Sequence, residues 1–293
     1  MTSSNSEIPL TRDWAEIELP DAWPDQIGWR QPRHLWRFTM GLVFGRRRVV
    51  ELPPELPGAE RLPRYLLQEF HHLPNGNYSK SVSRGYVSSF DRVMLGSMHQ
   101  GRQQIAARLA GAARVLDVGC GGGQLAQALS ASSPEVWAVE PSPYLLQHAA
   151  RRVPGLRCVQ GVIEKTEFPD QFFDAAGACF VFHEIPPRHA DDALTELHRI
   201  LKPGALLCLV EPSAQQLRQS FLQMARTHGW RGLYFRLLAL RMFEPFVSAW
   251  QARDHAAWFA AHGFELIESV DPMPYQLFLA RRQPEAGDSG AVD

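Results

Sequence analysis

Residues 115–126, VLDVGCGGGQLA, hold the densest chemical signal in the chain. An apolar run ends in Gly119, Gly121 and Gly123, and the pattern then turns helical. Glycine is needed where the backbone takes positive φ or must let a ligand come close. A helix opening straight after such a turn aims unpaired N–H groups at the crevice beyond the strand, a place suited to the polar end of a ligand. Glu140 closes the next apolar run, VWAVE, 21 residues after Gly119. An acid there accepts both hydroxyls of a ribose. Each buried, charged hydrogen bond of that kind contributes ~1.5–3 kcal/mol. The same charge opposes a 2′-phosphate, so the expected ligand is a nucleoside with free ribose hydroxyls.

Glycine spacing separates two such ligands. A dinucleotide loop reads GxGxxG, but here the third position is Gln124 and the glycines spell GxGxG. Asp117, two residues before Gly119, suits a cationic amino group better than a pyrophosphate. Together these residues resemble motif I of the class I S-adenosylmethionine-dependent methyltransferases, close to the UbiE/COQ5-like small-molecule enzymes. The likeness runs over about residues 85–212, through GVIEKTEFPDQFFDAAGACFVFHEI and LHRILKPGALLCLVEP. It implies S-adenosyl-L-methionine as cofactor, Asp117 at the methionine amino group and Glu140 at the ribose. Carried over in the same way, further cofactor contacts fall to Gly119, Cys120, Gly121, Gly123, Pro141, Gly161, Val162, Ile163 and Cys179, with Tyr86 as a lid contact beside Tyr78 and Arg84. One departure stands out: Val162 occupies the place of the family's adenine-contacting aspartate, leaving backbone groups around Ile163 for the ring.

Methyl transfer is an in-line displacement at an activated carbon, so alignment and exclusion of water carry the rate, an effect of ~7–11 kcal/mol. A base is needed only where the acceptor must lose a proton. His183 and Glu184, after the fourth strand-like run, are the candidate catalytic residues, against a packing reading of His183. HHLP at residues 71–74 has no metal-ligand spacing with His183 and reads as a loop. WRGLYFRLLALRMFEPF, within 213–250, has three readings in descending order: an amphipathic helix packed on the domain, the lining of a pocket for an aromatic or lipophilic acceptor, and contact with a membrane surface.

These residues need a frame. From Ala113 onward, short apolar runs alternate with helices of about ten residues, which is the pattern of a parallel sheet covered on both faces. The expected fold is α/β: a doubly wound, mostly parallel, seven-stranded Rossmann-like sheet. The divisions are an irregular extension over 1–60 with a short strand at Arg47–Leu52, helical pieces over 61–111 broken at His72–Asn77, the core over 112–282 with a helical cover at 213–250, and a disordered tail over 283–293. Strands are expected at Phe173–Phe182 and Ala205–Glu211, with LKPG as a turn and FELIESV and YQLFLAR as a terminal hairpin.

Composition fits this. With 45% apolar and 21% charged residues the chain can bury a core, and a net charge of -1 argues against general nucleic-acid binding. Four scattered cysteines without a CxxC pair suggest reduced thiols and a cytoplasmic location. No apolar run reaches the ~20 residues of a membrane span. Two rivals stand beside methyl transfer to a small-molecule acceptor: an NAD-dependent oxidoreductase, opposed by Gln124, and a non-catalytic nucleoside-binding relative, favoured by Val162.

Overall fold

The computed structural model describes residues 12–27, 32–33, 35–36, 39–40, 49–242 and 244–284. Strands β1 (Arg114–Val118), β2 (Glu135–Glu140), β3 (Arg157–Gln160), β4 (Phe173–Cys179), β5 (Leu201–Pro212), β6 (Phe264–Val270) and β7 (Tyr275–Arg282) form one sheet in the order β3-β2-β1-β4-β5-β7-β6. The first five pair in parallel, while β7 runs antiparallel to both β5 and β6. The helices are α1 (Lys80–Val93), α2 (Ser97–Arg108), α3 (Gln124–Leu129), α4 (Pro143–Arg152), α5 (Pro187–Ile200), α6 (Gln215–Arg218), α7 (Phe221–Arg241), α8 (Val247–Ala252) and α9 (His255–Ala261).

Both faces of the sheet are covered, which explains the unbroken apolar runs. Alternate residues of β1 serve opposite faces: Leu116 and Val118 join Trp137 and Phe173, whereas Val115 joins Ile105 and Leu125. The phenylalanines of FPDQFFD belong to this core. Phe168, Phe172 and Phe173 surround Trp137 with ring centroids 5.6, 5.5 and 6.3 Å away, all edge-on. Such pairs add about 0.5–1.5 kcal/mol each beyond their burial. The strand order reverses at β1, which has β2 on one side and β4 on the other. The crevice at the carboxyl ends of β1 and β4 is where a doubly wound sheet accepts ligands.

Residues 12–27 lie along α4: Tyr144 donates its hydroxyl to the Pro20 carbonyl at 2.8 Å, and Gln147 its amide to Ile17 at 2.6 Å. Of the expected strand at Arg47–Leu52, residues 47–48 lie outside the described residues, and in the rest Val49 makes an isolated antiparallel bridge to Gln68. Over 62–79 the chain is less helical than its pattern suggests. A 3-10 turn at Arg64–Leu66 is followed by irregular chain, with His71, His72 and Asn75 at φ 51°, 57° and 62°. Buried Asn75 makes these left-handed positions tenable. Its side chain takes the Glu51 amide at 2.8 Å and donates to the carbonyls of Glu51 and Tyr78, substituting for the missing backbone ladder.

Two core elements also differ from expectation. LKPG is not a separate turn, because β5 begins at Leu201, opposite Phe173, with a register shift before Ala175. The fourth strand stops at Cys179 because Phe180 turns to φ 60°. That conformation costs a bulky residue about 1–3 kcal/mol. The rest of the expected tail, 285–293, lies outside the described residues.

Candidate active site

The loop after β1, the ends of β2 and β4, and the 65–90 segment enclose a cleft of about 1280 Å³, open solvent included. Gly121 sits at φ 51° with open space where a Cβ would be, so the loop leaves room on its cleft side. Gly123 serves packing: its φ is 79°, and a Cβ would come within 2.8 Å of the Ala149 Cα. Several loop amides are already engaged, since Gly119 donates to Val139 at 2.9 Å and Gly123 to Cys120 at 2.8 Å. The loop therefore contributes shape more than amide donors.

Four carboxylates line this space, and two of them, Glu140 and Asp117, stand beside the glycine loop. Glu140 Oε2 accepts the Gly121 amide and Oε1 the Ser142 amide, each at 3.0 Å. Burial raises its pKa more than these amides lower it, so the carboxyl titrates at about 7. Asp117 Oδ2 accepts the Ala126 amide at 2.7 Å, and burial holds its pKa well above the ordinary carboxylate range. A buried acid kept from ionising gains most from a cationic partner. Arg102, on α2, lines the same cleft, is only 5% exposed, and pairs with Asp91 at 2.6 Å. Nothing in MHQGRQQIAAR marks Arg102 out, because helical periodicity does not reveal a buried cation.

Gly161, Val162 and Ile163 form a further wall, where Val162 bridges to Lys165 and turns the chain. Glu164 stands in that wall too, and the hydroxyl of Tyr65 donates to its carboxylate. An acid is therefore present two positions beyond the missing aspartate. The Cys179 thiol lines the cleft with its pKa pushed up to about 12 by burial, so it is a neutral wall group and not a nucleophile.

At the other end of the cleft, Glu184 and His71 meet, their Oε1 and Nε2 2.7 Å apart. Burial opposes ionisation of both, but each favours the other's charge: the His71 pKa is raised and that of Glu184 lowered, the latter helped by His183. Glu244, after α7, adds a third charge 3.6 Å from His71 Nδ1. The apolar side chains here are Phe70, Leu73, Tyr86, Phe90, Phe180 and Ile185.

His183 stands beside this pair, its Nε2 3.9 Å from Glu184 Oε1 and 3.8 Å from Glu244 Oε1. It is fully buried and does not line the cleft. Its Nδ1 lies 2.6 Å from Glu211 Oε2, and Glu211 also accepts the amides of Val181, Phe182 and His183 at 3.0, 2.8 and 3.2 Å. Burial works against the imidazolium, but the bond and charge of Glu211 prevail and raise its pKa to about 9. A cationic imidazole cannot take a proton near neutral pH. Glu211, at the end of β5, thus staples the turn that follows β4.

Asp117, Gly119, Cys120, Gly121, Glu140, Pro141, Gly161, Val162, Ile163, Cys179, Tyr86 and Glu184 all line the one cleft, as does Tyr78. Gly123 and His183 do not, and Arg84 instead borders a surface hollow with Lys80, His148 and Arg151. No described residue of 213–250 lines the cleft either; Glu244 approaches it beside His71. No group of three or more His, Cys, Asp or Glu side chains among the described residues is arranged to hold a metal ion.

Residues 116–209 match a family described as "Methyltransferase domain". An uncharacterized methyltransferase of Synechocystis is 36% identical over 98 residues, covering 33% of this chain and 46% of that protein. The ubiquinone/menaquinone biosynthesis C-methyltransferase UbiE of Bordetella avium is 31% identical over 158 residues, covering 48% and 61%. The chain thus spans about half the length of these relatives. An amino pentose methyltransferase of Micromonospora echinaspora, solved with S-adenosylmethionine bound, aligns with TM-score 0.49 at 21% identity over 68% of this chain and 96% of its own. The glycine loop, the acid ending β2 and β4 all fall inside the matched segment.

Proposed function

We propose that this protein transfers a methyl group from S-adenosylmethionine to a small-molecule acceptor. The observation that carries the reading is the convergence of Asp117, Glu140 and Arg102 on one cleft bounded by the glycine loop. Glu140 meets the ribose hydroxyls, Asp117 the methionine ammonium and Arg102 its carboxylate, three complementary pairings in one nucleoside amino acid. The sulfonium supplies an electrophilic methyl carbon; the chain's task is to align the acceptor with it and keep water out. The wall around Ile163, with Glu164 and Tyr65, faces the base.

The acceptor lies against Phe90, Tyr86 and Phe180, which favours an aromatic or lipophilic compound. UbiE, as a relative, points the same way. Glu184 accepts a hydrogen bond from a hydroxyl or amine of that acceptor, and His71 holds its carboxylate in place. His183 is a positioning residue that acts through the turn it shares with Glu211. The four unpaired cysteines support a cytoplasmic location, and no helix among the described residues is long and apolar enough to cross a membrane.

Calorimetric titration with S-adenosylmethionine, S-adenosylhomocysteine and NAD, combined with mass spectrometry of metabolites given labelled methyl donor, tests this reading. Binding of the first two and a mass gain in one compound are expected. Binding of NAD alone would turn the site into that of an oxidoreductase, and nucleoside binding without any methylated product would leave a non-catalytic relative.

A further inference from the structure

The outward face of α7 is apolar where an amphipathic helix should be polar. The helix breaks at Gly229, which sits at φ 60°, ψ −148°. In the stretch after the break, Gly232 and Phe235 pack inward, yet Trp230, Leu237 and Leu240 point outward, 66%, 51% and 54% exposed. At 100° per residue these three share about 80° of arc on one side of the helix. Val93, at the end of α1 and 39% exposed, joins them through the bond from the Tyr234 hydroxyl to its carbonyl. Scattered exposed leucines need no explanation, but a tryptophan and three aliphatic side chains on neighbouring helices form a patch.

Charge identifies what covers it. Residues 221–241 contain Arg226, Arg231, Arg236 and Arg241 and no Asp or Glu. Arg236 is turned inward to the carbonyls of Gln216 and Leu217, whereas Arg226 and Arg241 are exposed. Arg231 lies over the Trp230 ring, 5.9 Å from its centroid. The carboxylates of the flanking segments are engaged elsewhere, Asp91 with Arg102 and Glu244 with His71 and His183. An apolar stripe carrying an indole, on a helix that has four arginines and no acid, matches a bilayer interface with anionic headgroups. The packing role read from the sequence thus holds for one face of this helix and leaves the other unaccounted for. The face also sits beside the acceptor end of the cleft: His72 bonds the Arg241 carbonyl at 3.0 Å, and its neighbour His71 lines the cavity wall.

We propose that the outward face of α7, with the end of α1, docks on an anionic membrane surface. This goes beyond the methyl-transfer reading and does not depend on it. The test is flotation of the full chain with vesicles of phosphatidylcholine alone and of phosphatidylcholine mixed with phosphatidylglycerol. Binding to the mixed vesicles is expected, weakened by salt and about fivefold for each arginine lost from the pair Arg226→Ala and Arg241→Ala. The double variant Trp230→Glu/Leu237→Glu should no longer float, while Ile267→Glu, an exposed apolar site on β6, should float as before. All of these side chains are exposed, and an unchanged melting temperature verifies that folding is intact. Failure of the unmodified chain to float, or flotation indifferent to Trp230→Glu/Leu237→Glu, overturns the proposal. So does a dimer seen by light scattering that this double variant dissolves, since the face would then be a contact between copies.

Discussion

Replacing Glu140 by Gln separates a nucleoside-binding carboxylate from a merely structural one. In the free protein its two oxygens each accept one backbone amide at 3.0 Å, and burial sets its pKa at about 7. Ribose hydroxyls donate to the ionised form, so the bound complex must hold this carboxyl at a lower pKa. Below pH 7 the ligand has to expel a proton, and affinity should fall up to tenfold per pH unit until the pKa of the complex is reached. The glutamine variant keeps the shape but lacks the charge, and turns an N–H towards one of the two amides. Loss of one charge-assisted bond is worth ~1.5–3 kcal/mol, which weakens Kd roughly 10- to 150-fold, with no pH slope from this group. Stability supplies an independent readout with its own sign. The folded-state pKa is raised from 4.5, so the favourable state is the protonated one; stability is full below 4.5 and declines as pH rises through about 7. The difference of 2.5 units corresponds to about 3 kcal/mol at alkaline pH. Calorimetry with S-adenosylhomocysteine from roughly pH 5.5 to 8.5, in buffers of different ionisation enthalpy, reads the affinity and the proton release together. A wild-type Kd that is flat with pH, or a variant binding within about threefold of wild type, refutes the role given to Glu140.

Three further outcomes follow from the same geometry. His183, with its pKa raised from 6.5 to about 9 by Glu211, stabilises the fold below pH 6.5, and that contribution of about 3 kcal/mol is lost as pH rises through 9; His183→Gln should flatten this limb of a denaturation-versus-pH curve. Glu211→Gln takes from the buried imidazolium its nearest counter-charge and should cost about 3–5 kcal/mol in urea unfolding, with no loss if Glu211 is not the staple described. Glu184→Gln should lower kcat by about 10²- to 10⁴-fold for an acceptor that must release a proton, while leaving the Kd for S-adenosylhomocysteine unchanged; a change confined to that Kd would move Glu184 out of the acceptor compartment.

The apolar runs, their spacing by helices of about ten residues, the glycines and Glu140 sufficed to place a parallel sheet and a crevice at the carboxyl end of β1. These are local signals: a buried strand must be apolar, and a loop at φ 51° and 79° must be glycine. The opposite faces of α7 and the neighbours in the cleft were decided only by the tertiary structure. His71 and Glu184 are 113 residues apart and touch because a left-handed loop delivers one beside the turn after β4 that holds the other. His183 and Glu184 are consecutive, yet one is sealed against Glu211 while the other faces the cleft; a 3-10 turn of three residues has no periodicity from which to read that choice. Arg102 and Glu164 were likewise hidden, since burial of a charge depends on partners supplied by distant segments. Pattern records which residues must be apolar or flexible. It does not record where isolated polar side chains point once the layers close.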